Sequence, residues 1–405
     1  MSLPSTASLI RHRPFQLYLG GRALAAFASQ MVGVIVAWQL YELTNSAFLL
    51  GMIGLVQFIP TALLIFIAGH AADRYDRKRV VQLCQFGEAV GAVFLAWGSI
   101  GGWLTVGEMF AVVLVFGIGT AFSGPAGAAL MTGVSPEGMR QKATALATGT
   151  FEAATIAGPA LGGLAYGISP GVSYIAIAVL WSLGGLLMGA IRLERPVAAD
   201  RPAPTPGAIF AGWTFVRRNP AILGAISLDL FTVLLGGATT LLPIYARDIL
   251  HTDAWGMGLL RAAPSVGALL MTVVLSRYTI QRKTGIRLFQ SIIVYGLATL
   301  VFAVSHEMWL SLVALAIAGA ADTVSMVIRI ALVQLATPDD MRGRVGAVNY
   351  LFVNASYQLG GFESGVTAAL FGAVPSVLIG GFGTIVVALL WMKLFPPLRA
   401  LDRLE

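Results

Sequence analysis

"GHAADRYDRKR", residues 69–79, gathers six charged side chains into eleven positions of a 405-residue chain in which only 11% of residues are charged. An apolar stretch leads into it from about residue 47, and another starts straight after it. A soluble protein spreads its charge over its surface, and this chain confines it to short links. Its residues are 57% hydrophobic and its mean hydropathy is +0.81. Soluble domains carry roughly a quarter charged residues and about 45–50% apolar ones. The solvent for most of the chain is therefore lipid.

Apolar runs long enough to cross a bilayer as helices lie near 15–41, 47–71, 80–100, 105–134, 141–168, 173–191, 220–247, 255–277, 288–304, 309–336, 344–371 and 375–395. Backbone groups in lipid must be satisfied within their own segment. Runs of this length, without the alternation of a barrel strand, predict an all-α membrane protein of twelve transmembrane helices. The apolar run through "ALAAFAS" (23–29) is interrupted by Arg22 and continues to Trp38, which reads as an uncleaved first helix rather than a signal peptide.

Basic residues set the orientation. With a cytoplasmic N-terminus, 22 of the 26 Lys and Arg residues fall on inside segments. Arg22, Arg261 and Arg329 fall within helices, and Arg247 is left outside. Both termini are then cytoplasmic. The formal net charge of +7 reports topology and no nucleic-acid partner, because the charge is dispersed over seven segments instead of gathered on one face. Cys84 stands alone, so no intramolecular disulfide is possible, and the four histidines lack metal-ligand spacing.

The longest polar break is "RLERPVAADRPAPTPG" (192–207), Pro-rich as suits a linker. The "AIFAGWTFVRR" after it, aromatic with a basic end, suits a helix lying at the interface. The expected organisation is an N-terminal six-helix bundle (1–191), a cytoplasmic linker with an interfacial helix (192–218) and a C-terminal six-helix bundle (219–405). The halves repeat. "SPEGMR" (135–140) matches "TPDDMR" (337–342) at an offset of 202 residues, where Gly158 also meets Gly360 and Gly163 meets Gly365. Six is an even number, so both halves enter the membrane in the same sense. Parallel repeats of this kind frame a substrate site near the midplane.

With this layout the chain resembles a major facilitator superfamily transporter, and "GHAADRYDR" (69–77) together with "RHRPFQLYLGGRALAAFASQM" (11–31) is most similar to the subgroup of enterobactin exporters and multidrug efflux pumps. Two motifs carry the likeness. The superfamily's loop G-x-x-x-D-R-x-G-R-R/K appears as Gly69, Asp73, Arg74, Arg77 and Lys78, with Asp76 standing where glycine is usual. The resemblance implies a conformational latch there, although Arg77–Arg79 are equally explained by topology alone. "GTFEAATIAGPALGG" (149–163) places Gly149, Gly158, Pro159, Gly162 and Gly163 in the pattern G-P-x-x-G-G on the fifth helix, which is similar to the motif of proton-coupled exporters. Pro159 removes a helical hydrogen bond and predicts a kink. The glycines also suit plain tight packing.

Five acids fall within the expected helices: Glu88, Glu152, Asp229, Asp322 and Glu363. Ionisable groups in lipid are costly, so a functional role is the first hypothesis. Glu152, near the middle of its helix, is the leading proton carrier, with Asp229 second. Asp322 and Arg329, seven residues apart, share one helix face. Arg329 would neutralise an acid or meet an anionic substrate, and an Asp/Arg pair would equally serve to lock helices. Glu88, Glu363, Arg22 and Arg261 read as lying nearer helix ends, within reach of the interface. Gln57, Asn349, Asn354, Gln358, Trp38, Phe151 and Tyr357 are candidates for lining a cavity or packing a core.

The expectation is a monomeric secondary transporter in a bacterial inner membrane. It exports a siderophore or amphipathic drug against protons, with a small-molecule substrate, lipids and protons as its partners. No metal or cofactor is expected beyond the proton gradient. No ATP-binding loop occurs in the sequence. An uptake permease on the same fold and a non-transporting receptor are the rival readings.

Overall fold

The computed structural model describes residues 9, 12–136, 138–192, 206–278, 282–338 and 341–402. The side chains at 65, 66, 73, 206, 208–210, 347, 350 and 354 are not among those described. The readings placed on Arg11, Arg195, Arg201, Arg403, linker residues 193–205, and the Asp73 and Asn354 side chains therefore lie outside the described residues.

The described residues form helices and no strand. The first six are α1 (Arg13–Thr44), α2 (Ala47–Arg74), α3 (Arg77–Gly101), α4 (Val106–Val134), α5 (Arg140–Ile168) and α6 (Pro170–Gly189). After the linker come α7 (Pro206–Arg218), α8 (Pro220–Leu235), α9 (Ala254–Arg277), α10 (Thr284–Val304), α11 (Met308–Leu335), α12 (Arg342–Phe371), α13 (Ala373–Leu394) and the short α14 (Pro396–Arg399). Asn219 caps α8, accepting from the amides of Ala221 and Ile222, with Pro220 at the first helical position where its missing N–H costs nothing.

Ten spans among the described residues are long and apolar enough to cross a membrane, α8 being counted with its continuation to Ile249. The two other long helices are α5, of 29 residues, and α12, of 30 residues. Thr148, Thr150, Glu152 and Thr155 on α5, and Asn349, Ser356, Gln358 and Glu363 on α12, dilute their apolarity. These two helices are the pair related by the internal repeat.

The chain divides into two compact units, one of Met1–Leu43 with Val56–Ala203, the other of Thr44–Leu55 with Pro204–Glu405. The start of α2 thus packs inside the second unit. A Cβ on Gly51 would lie 2.9 Å from the Gly365 Cα, so bare backbone is required at that crossing.

Within each unit the same pairings recur: α3 lies on α4 and α6 in the first, and α10 lies on α11 and α13 in the second. The repeat is reproduced bond for bond at the start of α5 and α12. The Met139 amide donates to the Pro136 carbonyl at 3.1 Å, and that of Met341 to Pro338 at 3.0 Å. The Ser135 hydroxyl donates to the Met131 carbonyl at 2.6 Å, and Thr337 does the same to Val333 at 2.5 Å. Gly158 on α5 is pressed against Gln30 of α1. Its repeat partner Gly360 on α12 is pressed against the Val233 and Leu234 carbonyls of α8. Without a hydrophobic drive between helices in lipid, small residues that admit close backbone approach fix the crossings.

Candidate functional site

In the second unit the sequence-predicted charges on α8 and α11 converge. Arg329 reaches back along α11, its Nη1 in contact with Asp229 Oδ1 of α8. Its Nη2 lies 3.8 Å from Asp322 Oδ1. Its Nε donates to the Ser325 hydroxyl at 3.1 Å. The Asp229 and Arg329 side chains are 8% and 11% exposed, whereas Asp322 is 33% exposed. One guanidinium thus serves two carboxylates, tightly for Asp229 and loosely for Asp322. A guanidinium buried among acids is tolerated only with such pairing and hydrogen bonding.

Asp322 opens on a cavity of about 150 Å³ that Tyr295 of α10, Tyr357 of α12, and Thr232 of α8 also line. One wall is irregular backbone. After α8 the chain passes through a tight 3₁₀ segment (Gly237–Leu241), one helical turn (Leu242–Ile244) and a wide π segment (Tyr245–Ile249). Residues Gly236 to Thr240 of this break face the cavity. Such interruptions at membrane depth are tolerated where they line a cavity, and discontinuous helices commonly build transporter binding sites. The Tyr295 hydroxyl donates to the Gly236 carbonyl at 3.2 Å and pins the break to α10. Thr232 is 6% exposed, and its hydroxyl is buried without a hydrogen-bond partner.

The first unit holds Glu152 and Glu88. Glu152, on α5, is half-buried. It belongs to a different unit from Asp229, Asp322 and Arg329. Glu88 departs from expectation: it lies in the middle of α3 and is 6% exposed, packed against Gly119 of α4. Reading it as close to a helix end underestimated how far α3 extends on its N-terminal side. In the second unit Glu363 is half-buried and accepts from the Thr367 hydroxyl at 2.7 Å. Arg22 and Arg261 are also half-buried, and the Arg22 Nε has no partner.

The residues of the loop motif fall at the end of α2 and the start of α3. Gly69 and Arg74 lie in the last turns of α2, with Arg74 exposed. Arg77 Nε donates to the Ala72 carbonyl at 3.2 Å, and Lys78 Nζ donates to the Ile191 carbonyl at 3.0 Å. Both cations thus satisfy carbonyls at helix C-terminal ends, where the macrodipole favours them. Asp76 is the N-cap of α3, accepting from the Lys78 amide, with φ −61° and ψ 110°. That backbone is extended and not left-handed, so no glycine is needed.

In the fifth-helix motif, α5 continues through Pro159. Gly158 and Gly162 meet α1 at Gln30 and Met31, and nothing lies within 4 Å of Gly149 on its Cβ side. Gln30 Nε2 donates to the Thr155 hydroxyl at 3.0 Å beside this crossing.

Of the other cavity candidates, Tyr357 lines the Asp322 cavity, and Asn349 lines a second one of about 530 Å³ at the end of α11. Gln358 abuts Gly54, Gln57 is half-buried and Phe151 is exposed. Trp38 is buried and donates to Glu42 at 2.7 Å, while Tyr166 donates to the other oxygen of the same carboxylate. Glu42, Tyr295, and Thr232 carry no motif and were not singled out from the sequence. Only the packing of α10 against α11 brings Tyr295 to Asp322. Among the described residues no cluster of His, Cys, Asp and Glu could hold a metal ion.

The family model described as transmembrane secretion effector, a major facilitator (MFS) group, matches residues 5–404. The enterobactin exporter EntS of Citrobacter koseri is 24% identical over 407 residues, covering 97% of this chain and 94% of that protein. The Salmonella typhimurium exporter of the same name is 23% identical, with 97% and 95% covered. Among solved structures, a bacterial homologue of the human lysosomal transporter Spinster superposes with a TM-score of 0.74 at 13% identity, covering 96% of each chain. The nucleoside transporter NupG superposes with a TM-score of 0.70 at 17% identity, covering 94% of this chain and 100% of its own. These relatives are transporters and not enzymes.

Proposed function

Because the chain belongs to the transmembrane secretion effector family of the major facilitator superfamily, and so is a multi-pass membrane transporter, we propose that it exports a small organic molecule in exchange for protons. The coupling lies in the Asp229–Arg329–Asp322 cluster, and that cluster is the observation that carries the proposal. Two carboxylates share one guanidinium beside a cavity, and the more exposed of them, Asp322, is free to take a proton or yield it to cargo. Glu152 in the first unit is the second proton group. The cargo is a siderophore or amphipathic drug, and the membrane is the bacterial inner membrane.

On this reading the chain crosses the membrane twelve times, with α5 and α12 included and both termini cytoplasmic. The same reading divides the chain into bundles 1–191 and 219–405 about a linker. Gly69, Asp73 and Arg74 keep the spacing of the family's latch, with Arg77 and Lys78 anchoring that loop. Asp73→Asn should then slow turnover while leaving cargo binding intact, and wild-type turnover in that variant would remove the latch from the account.

The export direction is tested in everted membrane vesicles with an acidic lumen. Cargo should accumulate until a protonophore collapses the gradient. Accumulation in right-side-out vesicles instead would make the protein an uptake permease.

A further inference from the structure

The charge balance of the second unit's cavity bears on the chemistry of the cargo. Arg329 has its guanidinium committed: Nη1 contacts Asp229, and Nε donates to Ser325. Its Nη2 lies 3.8 Å from Asp322 Oδ1, and Arg329 is not among the residues that line the cavity. With both carboxylates ionised against one guanidinium the cluster has one negative charge in excess, and the less tightly paired and more exposed carboxylate is Asp322. Tyr295 and Tyr357 line the same cavity. A carboxylate and aromatic side chains lining one cavity are the combination that holds a quaternary or protonated amine, since ring faces attract cations. Thr232 adds a buried hydroxyl with no partner in the protein, and an occupant of the cavity would satisfy it. The break after Leu235 brings the polar groups of Gly236 to Thr240 to the same wall.

We propose that this cavity is a binding site for an organic ammonium group, with Asp322 as its counter-ion and Tyr295 and Tyr357 as its walls. The proposal rests on the transporter reading and names the head group of the cargo: an amine-bearing amphipath and not an anion. At about 150 Å³ the cavity takes a head group and not a whole drug-sized molecule, since sites that enclose such ligands run to roughly 300–1,000 Å³.

Calorimetry on the purified full-length protein in detergent tests this with three probes: choline, its uncharged isostere 3,3-dimethylbutan-1-ol, and benzoate. Choline should bind at least ~10-fold more tightly than the isostere, because only the cation gains from the carboxylate and the rings. Asp322→Asn should weaken choline by ~10-fold or more and barely move the isostere, while Asp322→Glu should stay within ~3-fold of wild type. Tyr357→Ala should weaken choline by about 2- to 5-fold. The glutamate and alanine variants decide the matter if the asparagine variant does not fold. Equal affinity for choline and its isostere, tighter binding of benzoate, or no choline binding would each overturn the proposal. So would choline affinity unchanged in a folded Asp322→Asn protein. Choline that binds at Asp322, with no accumulation of an amine-bearing amphipath such as a long-chain alkyltrimethylammonium in energised everted vesicles, would overturn the export reading and leave the site standing.

Discussion

At Asp76 the loop departs from the family pattern, and the side chain accounts for the departure. The carboxylate caps α3, and the backbone there needs no positive φ. Asp76→Ala should lower stability by about 0.5–2 kcal/mol, and Asp76→Gly by only a few tenths, measured by thermal unfolding in detergent. Equal losses would remove the cap from the account. Asp229 makes a stronger case, because its loss leaves Arg329 buried without its closest partner. Asp229→Asn should cost about 3–5 kcal/mol, as breaking a buried pair does, and adding Arg329→Gln should restore part of it. Glu152→Gln should flatten the pH dependence of efflux, and an unchanged profile would move the proton role away from it. At this scale the sequence was informative about which side chains were expensive. Asp229, Asp322 and Arg329 stand out as charges in apolar helices. Tyr295 and Thr232 do not, because a hydroxyl in a helix is cheap to place and only the fold shows what it faces.

Among the helices, spacing and apolarity located the segments to within a few residues. The span expected near 220–247 became α8 with an irregular extension to Ile249. Nothing in its composition but Gly236, Gly237 and Pro243 hints at the break. The repeat at an offset of 202 predicted like environments for matched residues, and the turns at Pro136 and Pro338 share the same bonds. The crossings of α5 on α1 and α12 on α8 are the elements most sensitive to added bulk. Gly158→Leu and Gly360→Leu would each drive a side chain into a neighbour with no space for it. Each should lower the yield of folded protein sharply, whereas Gly149→Leu, with open space around it, should be tolerated. Size-exclusion profiles of the three variants make the comparison, and similar losses in all three would contradict the packing account.

For the whole molecule, the positive charge of the short links gives a topology that can be tested against the ten spans apolar enough to stand alone. Cys84 is the single native cysteine. A Cys84→Ser background with one cysteine introduced near either end should react with a membrane-impermeant thiol reagent in everted vesicles and not in right-side-out ones. The opposite labelling of one end would mean an odd number of crossings. The family and the helical layout were legible from the charged loop, the fifth-helix motif and the repeat. The proposed coupling and cargo charge rest on how side chains from α8, α10, α11 and α12 meet, which no local pattern encodes. The most direct test of the central claim is the sign of proton movement in proteoliposomes loaded with a pH-sensitive dye. Cargo added outside should make the lumen more alkaline as it enters, because antiport sends protons out. Acidification, or cargo entry with no proton movement, would contradict it.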